Sequence, residues 1–173
     1  CISDSSVVAL DAFAKRAGAR VTFCIPYPRD GDSSSSIPWD ANPAFDVSAF
    51  WSMVAQKNLT SFFGWSLSNE VIGDKPGFNN TKYAVDYVAF RDAATRHAPT
   101  WAQAIVGPSA PGWPGDDIMR PFLSRVARLP QMSFSIHAYA FGRDQDTVTD
   151  YMNKTQIEKM AHYYSAAVAA RDS

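Results

Sequence analysis

Long apolar runs are missing from this sequence. No stretch approaches the roughly 18 consecutive apolar residues that a membrane helix requires, so no membrane span is expected. Cationic runs are missing too: 16 Lys and Arg are scattered among 17 Asp and Glu for a net charge of -1. That balance argues against a dedicated nucleic-acid or anionic-membrane surface, and no nucleic-acid partner is expected. Neither a Gly-x-Gly-x-x-Gly turn nor a Gly-Lys-Ser/Thr phosphate loop occurs, which removes the usual fingerprints of nucleotide-binding open sheets. The two cysteines, Cys1 and Cys24, and the three histidines, His97, His137 and His162, show no metal-ligand spacing. No metal and no cofactor are expected.

What is present suits one packed core. Of 173 residues, 46% are hydrophobic and 19% charged, the balance of an ordinary globular domain. Residues 5–17 carry Val7, Val8, Leu10, Phe13 and Ala14 at helical spacing, with Gly18 as a stop, and residues 20–25 form a β-branched and aromatic run closed by Pro26 and Pro28. A Pro-, Gly- and Ser-rich segment, 27–43, reads as a surface loop. The helix–strand alternation then repeats: helix 46–57, strand 61–67, helix 82–97, strand 101–106, helix 116–129, strand 132–138, and a last helix from 154 onward. Apolar strands alternating with amphipathic helices indicate parallel β/α units. Periodicity leaves two architectures, an open doubly wound sheet or part of a (β/α)8 barrel, and the missing phosphate loops favour the barrel.

In β/α barrels the reacting groups sit at the carboxyl ends of the strands. The strand 61–67 runs directly into Ser68-Asn69-Glu70, an amide beside a carboxylic acid that would be costly to bury in a core. The strand 132–138 ends in Ile136-His137-Ala138-Tyr139, whose alternation aims His137 and Tyr139 to one face. Taken singly, an Asn-Glu pair also fits an exposed loop, a histidine a hydrogen-bonded core position and a tyrosine simple packing. Their conjunction at successive strand ends is what points to a site.

The run Gly64-Trp65-Ser66-Leu67-Ser68-Asn69-Glu70 resembles the Trp-x-Leu-Gly-Asn-Glu-Pro signature at the fourth strand of the heparanase and β-glucuronidase family of retaining glycosidases. Phe23-Cys24-Ile25 is similar to that family's third strand, Val106-Gly107-Pro108 to its Gly-Pro after the fifth, and Ser135-Ile136-His137-Ala138-Tyr139 to its His-x-Tyr at the sixth. The resemblance covers nearly all of residues 1–173 as about strands 3 to 6 of a barrel with their helices. It implies that Glu70 is the general acid/base, that Asn69 contacts the substrate 2-hydroxyl, and that His137, Tyr139 and Trp65 line a carbohydrate subsite. A retaining mechanism needs a second carboxylate as nucleophile, which the family carries on its seventh strand, beyond this sequence. Asp144 and Asp146 follow the sixth strand, toward the barrel mouth, but a loop Asp is more often a turn former or a solvated charge, and neither is assigned that role. Ser68 and Val71 replace the family's Gly and Pro around Asn-Glu, and Ser109 replaces its acidic residue after Gly-Pro. These departures motivate an alternative reading, a catalytically silent glycosidase-like protein serving as a structural or carbohydrate-binding glycoprotein.

Three N-glycosylation acceptor triplets, beginning at Asn58, Asn79 and Asn153, favour a secreted, cell-surface or lysosomal location. An oxidising compartment permits a disulfide between Cys1 and Cys24; two free thiols, or a bond to another segment, remain open. A start at Cys1 and a helical reading still running at 166–173 lead to the expectation of a longer or processed chain. Half a barrel would expose two sheet edges, so the remaining strands are expected from a continuation or from a second chain.

Overall fold

The computed structural model describes residues 3–25, 27, 46–69, 79–111, 116–126, 129, 133–137, 158, 161, 162 and 165. Three of its helices begin where a side chain accepts from a free backbone N–H. In α1 (Asp4–Ala17) the Ser3 hydroxyl accepts from the Ser6 N–H, and Gly18, at φ 63°, turns the chain so that the Ala19 N–H reaches the Ala14 carbonyl at 2.9 Å. Asp46 caps α2 (Val47–Gln56) through the Ala49 N–H, and Asn79 caps α3 (Asn80–His97) through the Lys82 N–H. A fourth helix, α4, spans Asp116–Val126.

Between them lie β1 (Val21–Ile25), β2 (Phe62–Leu67), β3 (Ile105–Pro111) and β4 (Ser133–His137). They pair in parallel in the order β1-β2-β3-β4, each strand laid beside its predecessor. Right-handed crossovers that always step the same way put their helices on one face of the sheet. The contacts agree, since α3 packs against both α2 and α4. The fold is therefore mixed α/β with a parallel sheet.

The two faces of that sheet differ in chemistry. Toward the helices point Ile25, Trp65, Leu67 and Ile105, which join Trp51, Val54, Tyr83, Tyr87, Phe90 and Phe122 in one aromatic-rich core. Trp65 is its centre, stacked on Phe62 at 4.7 Å and meeting Phe50, Trp51 and Trp101 edge-on at 5.4–5.8 Å. The opposite face carries small side chains. The register aligns Cys24 with Ser66, Ser66 with Val106, and Val106 with Ser133. Here Gly64 lets β3 come close, because a Cβ there would stand 2.8 Å from the Val106 methyl.

Two expectations need correction. The strand expected at 101–106 begins later: Pro99–Ala104 is a 3-10 helix, and β3 starts at Ile105 and runs through Gly107-Pro108 to Pro111. Pro108 can sit in this strand because β3 pairs with β2 only at Ile105 and Val106, so its missing N–H faces no ladder partner there. The second concerns Tyr27, expected on a surface loop; it is buried, and its hydroxyl donates to Asp86 of α3 at 2.6 Å. Residues 28–45 lie outside the described residues. In the expected last helix, Glu158, Ala161, His162 and Ser165 are helical, with the Ser165 hydroxyl donating to the Ala161 carbonyl. No helix among the described residues is long and apolar enough to cross a membrane.

Candidate functional site at the carboxyl edge of the sheet

The backbone departs from ordinary conformations at the carboxyl ends of β2 and β3. Ser68 has φ 66° and Ser109 φ 52°, the only two residues other than glycine with positive φ among those described. An L-residue in this region costs roughly 1–2 kcal/mol, so neighbouring contacts must hold it. They are visible. The Ser109 and Ser66 hydroxyls lie 2.8 Å apart across the two strands, and Ser66 donates onward to the Ser68 carbonyl at 3.0 Å. The Ser68 N–H reaches the Ile25 carbonyl of β1 at 2.6 Å. From the helix side, the Tyr83 hydroxyl donates to the Leu67 carbonyl at 2.7 Å and lies 3.3 Å from that of Pro108. Complete burial pushes the Tyr83 phenol well above its usual range, so it remains a proton donor at any physiological pH.

This scaffold delivers Asn69 to the surface one residue beyond Ser68, on an exposed turn. Glu70 follows it in sequence but lies outside the described residues. His137 ends β4, half-buried, on the small-residue face. Asn69 is three residues past Ser66, and His137 four past Ser133, its neighbour two strands away. Both therefore lie past the last row of paired residues that their strands share, Ser66, Val106 and Ser133, at the carboxyl edge of the sheet. Tyr139 lies outside the described residues.

Trp65 belongs elsewhere. It is fully buried on the helix face, so the expected apolar subsite wall is corrected to a core position. The physical reason is alternation: Trp65 and Leu67 share the helix-facing side of β2, and only Ser66 between them faces the other way.

The residues that sequence reasoning left out are those that hold the edge: Ser66, Ser109 and Tyr83. Two serines in two strands carry no spacing signal, and a helix tyrosine reads as packing until its hydroxyl partner is seen. Cys24 joins the serine cluster beside Ser66; burial pushes its thiol up, more than the Ser66 hydrogen bond lowers it. A protonated thiol is a poor nucleophile, so Cys24 does not suggest thiolate catalysis. The Cys24 thiol is free, and Cys1 lies outside the described residues.

No family model matches the chain, and no curated protein matches it. The geometry of the edge therefore carries the functional argument by itself. Among the described residues no group of three His, Cys, Asp or Glu side chains could hold a metal ion. The two described glycosylation acceptors, Asn58 and Asn79, are both exposed; Asn153 lies outside the described residues.

Proposed function

We propose that this chain is part of a (β/α)8-barrel glycoside hydrolase of the heparanase-like kind, acting on a polysaccharide or glycoconjugate by double displacement. The observation that carries the reading is the φ of 66° at Ser68. This is the position at which the resembling signature has glycine, the residue that adopts such a backbone freely, immediately before its Asn-Glu pair. A motif matched by chance would have no reason to need glycine's conformation there. The unidirectional strand order supports a barrel over a doubly wound sheet, in which the order reverses at a switch point.

In this reading Glu70 protonates the leaving glycosidic oxygen and then takes a proton from water, while Asn69 holds the 2-hydroxyl and His137 and Tyr139 flank the sugar. The nucleophilic carboxylate and the other strands come from a continuation or a second chain. Secretion, to the cell surface, the medium or the lysosome, accompanies the reading. No cofactor is required.

Ser109 favours a second reading, the silent glycosidase-like glycoprotein. Where the signature has an acidic residue, Ser109 is buried and spends its hydroxyl on Ser66. One experiment separates the two. In the complete protein, Glu70→Gln should reduce hydrolysis of substrates with poor leaving groups by at least ~100-fold while sparing binding. The distance from the Glu70 carboxyl to its nearest carboxylate across the mouth should be about 5–5.5 Å. Unchanged turnover removes Glu70 from the mechanism, and no turnover by the parent on any glycan favours the silent protein.

A further inference from the structure

At the other end of the sheet, around the amino-terminal ends of the strands, an open cavity of about 600 Å³ is bordered by Arg20, Asn58, Phe63, Trp101 and Gln103. The volume falls within the range of roughly 300–1,000 Å³ typical of small-molecule sites. Its walls suit a sugar. Phe63 is 56% exposed, although it lies on an otherwise buried strand. The Arg20 guanidinium lies 4.9 Å from the centre of the Phe63 ring. Trp101 is half-buried, with Trp65 packed edge-on against it from the core. An aromatic ring beside polar side chains accepts the C–H face of a pyranose and the oxygens around its rim.

The occupant is indicated by the rim itself. Asn58-Leu59-Thr60 is an acceptor triplet for N-linked glycosylation. Leu59 is 4% exposed and anchored in the core, and the Thr60 N–H bonds to the Asn58 carbonyl at 3.2 Å, so Asn58 is held on the cavity's edge. We propose that Asn58 carries an N-linked glycan whose innermost sugar lies in this cavity against Phe63. The inference rests on passage through a secretory compartment, where the donor, a lipid-linked oligosaccharide pyrophosphate, is found. The Asn58 amide nitrogen forms the bond to C1 of the first sugar, the bond from C1 to the pyrophosphate oxygen breaks, and one amide proton leaves with the pyrophosphate. The attached sugar covers the part of the ring that Arg20 leaves open to water. Asn79 provides an internal contrast: it is exposed, its side-chain oxygen caps α3, and it does not border the cavity.

The test is to secrete the complete protein from a eukaryotic host under an added signal and to map occupancy by mass spectrometry. Asn58 should be occupied, and Thr60→Ala should abolish occupancy. Thr60→Ala should also lower the melting temperature by about 2–4 °C, yet have no effect on unglycosylated protein made in bacteria or in a Phe63→Leu background. The equivalent Thr81→Ala change at Asn79 should leave the melting temperature unaltered. An unmodified Asn58 overturns the proposal, and so does an occupied Asn58 whose loss has no thermal effect or the same effect with and without the Phe63 ring. Because secretion is imposed, these outcomes do not depend on where the native protein resides, which localisation of the native protein tests separately.

Discussion

The hydroxyl of Tyr83, on α3, donates to the main-chain carbonyl of Leu67 at 2.7 Å, two residues before Asn69. A fully buried helix residue thus fixes the height and direction of the strand end from which the proposed site is built. Tyr83→Phe keeps the ring packing on Phe122 and Tyr27 but leaves a buried carbonyl without its donor, at a cost of about 1–3 kcal/mol. Urea denaturation should show that loss, and amide exchange should quicken at Ser68 and Asn69 more than at the start of β2.

Ser68 should tolerate glycine and reject β-branched residues. Ser68→Gly removes the left-handed strain while adding unfolded-chain entropy, so stability should stay within about 1 kcal/mol of the parent. Ser68→Val should cost about 2 kcal/mol or more, since a branched side chain at φ 66° clashes with its own backbone. Thermal melts of the two variants distinguish a conformational requirement from a requirement for the hydroxyl, which both substitutions remove.

Gly107 faces α3. A Cβ there would meet the ring of Tyr87, with its Cζ and hydroxyl oxygen both 2.9 Å away. Gly107→Ala should therefore destabilise the protein by about 1–3 kcal/mol, as overpacking does. The cost should shrink in a Tyr87→Leu background, a coupling that a double-mutant cycle of denaturation free energies would read.

Asp11 links α1 to the start of β2 and should make stability depend on acid. Its carboxylate accepts from the Ser61 N–H at 2.8 Å and pairs with Lys15 at 2.8 Å. Burial alone would raise its pKa, but the Lys15 and Ser61 interactions together outweigh burial and hold it below the usual 3.8. A depressed folded-state pKa adds stability that is present above the unfolded value and lost as pH falls through the folded one. The stability difference between the parent and Asp11→Asn should be constant near neutrality and shrink below about pH 4. A difference independent of pH down to pH 2 would remove the charge from the account.

Much of the layout was legible in the sequence because helix period, strand period and capping residues are local. Asp46 and Asn79 stand immediately before helices that the apolar spacing already marks, and Gly18 immediately after one. The junction of β2 with Asn69 could be read for the same reason: an apolar run meeting an amide and an acid is a one-dimensional pattern. The continuation of β3 to Pro111 could not, because Pro108 reads as a strand breaker until the sheet shows that its missing N–H faces no partner. Tyr27 was misplaced for a similar reason, since only the fold brings Asp86, 59 residues away, to its hydroxyl.

By itself, then, the sequence determined the order of helices and strands, the capped helix ends and the residues that follow each strand, all set by neighbours within a few positions. The tertiary structure decided which face each side chain serves. It turned Trp65 into the core, joined Ser66 to Ser109 across two strands, and brought Asn69 and His137 to one edge. Those outcomes depend on strand register and helix packing, which link residues that the chain itself keeps far apart.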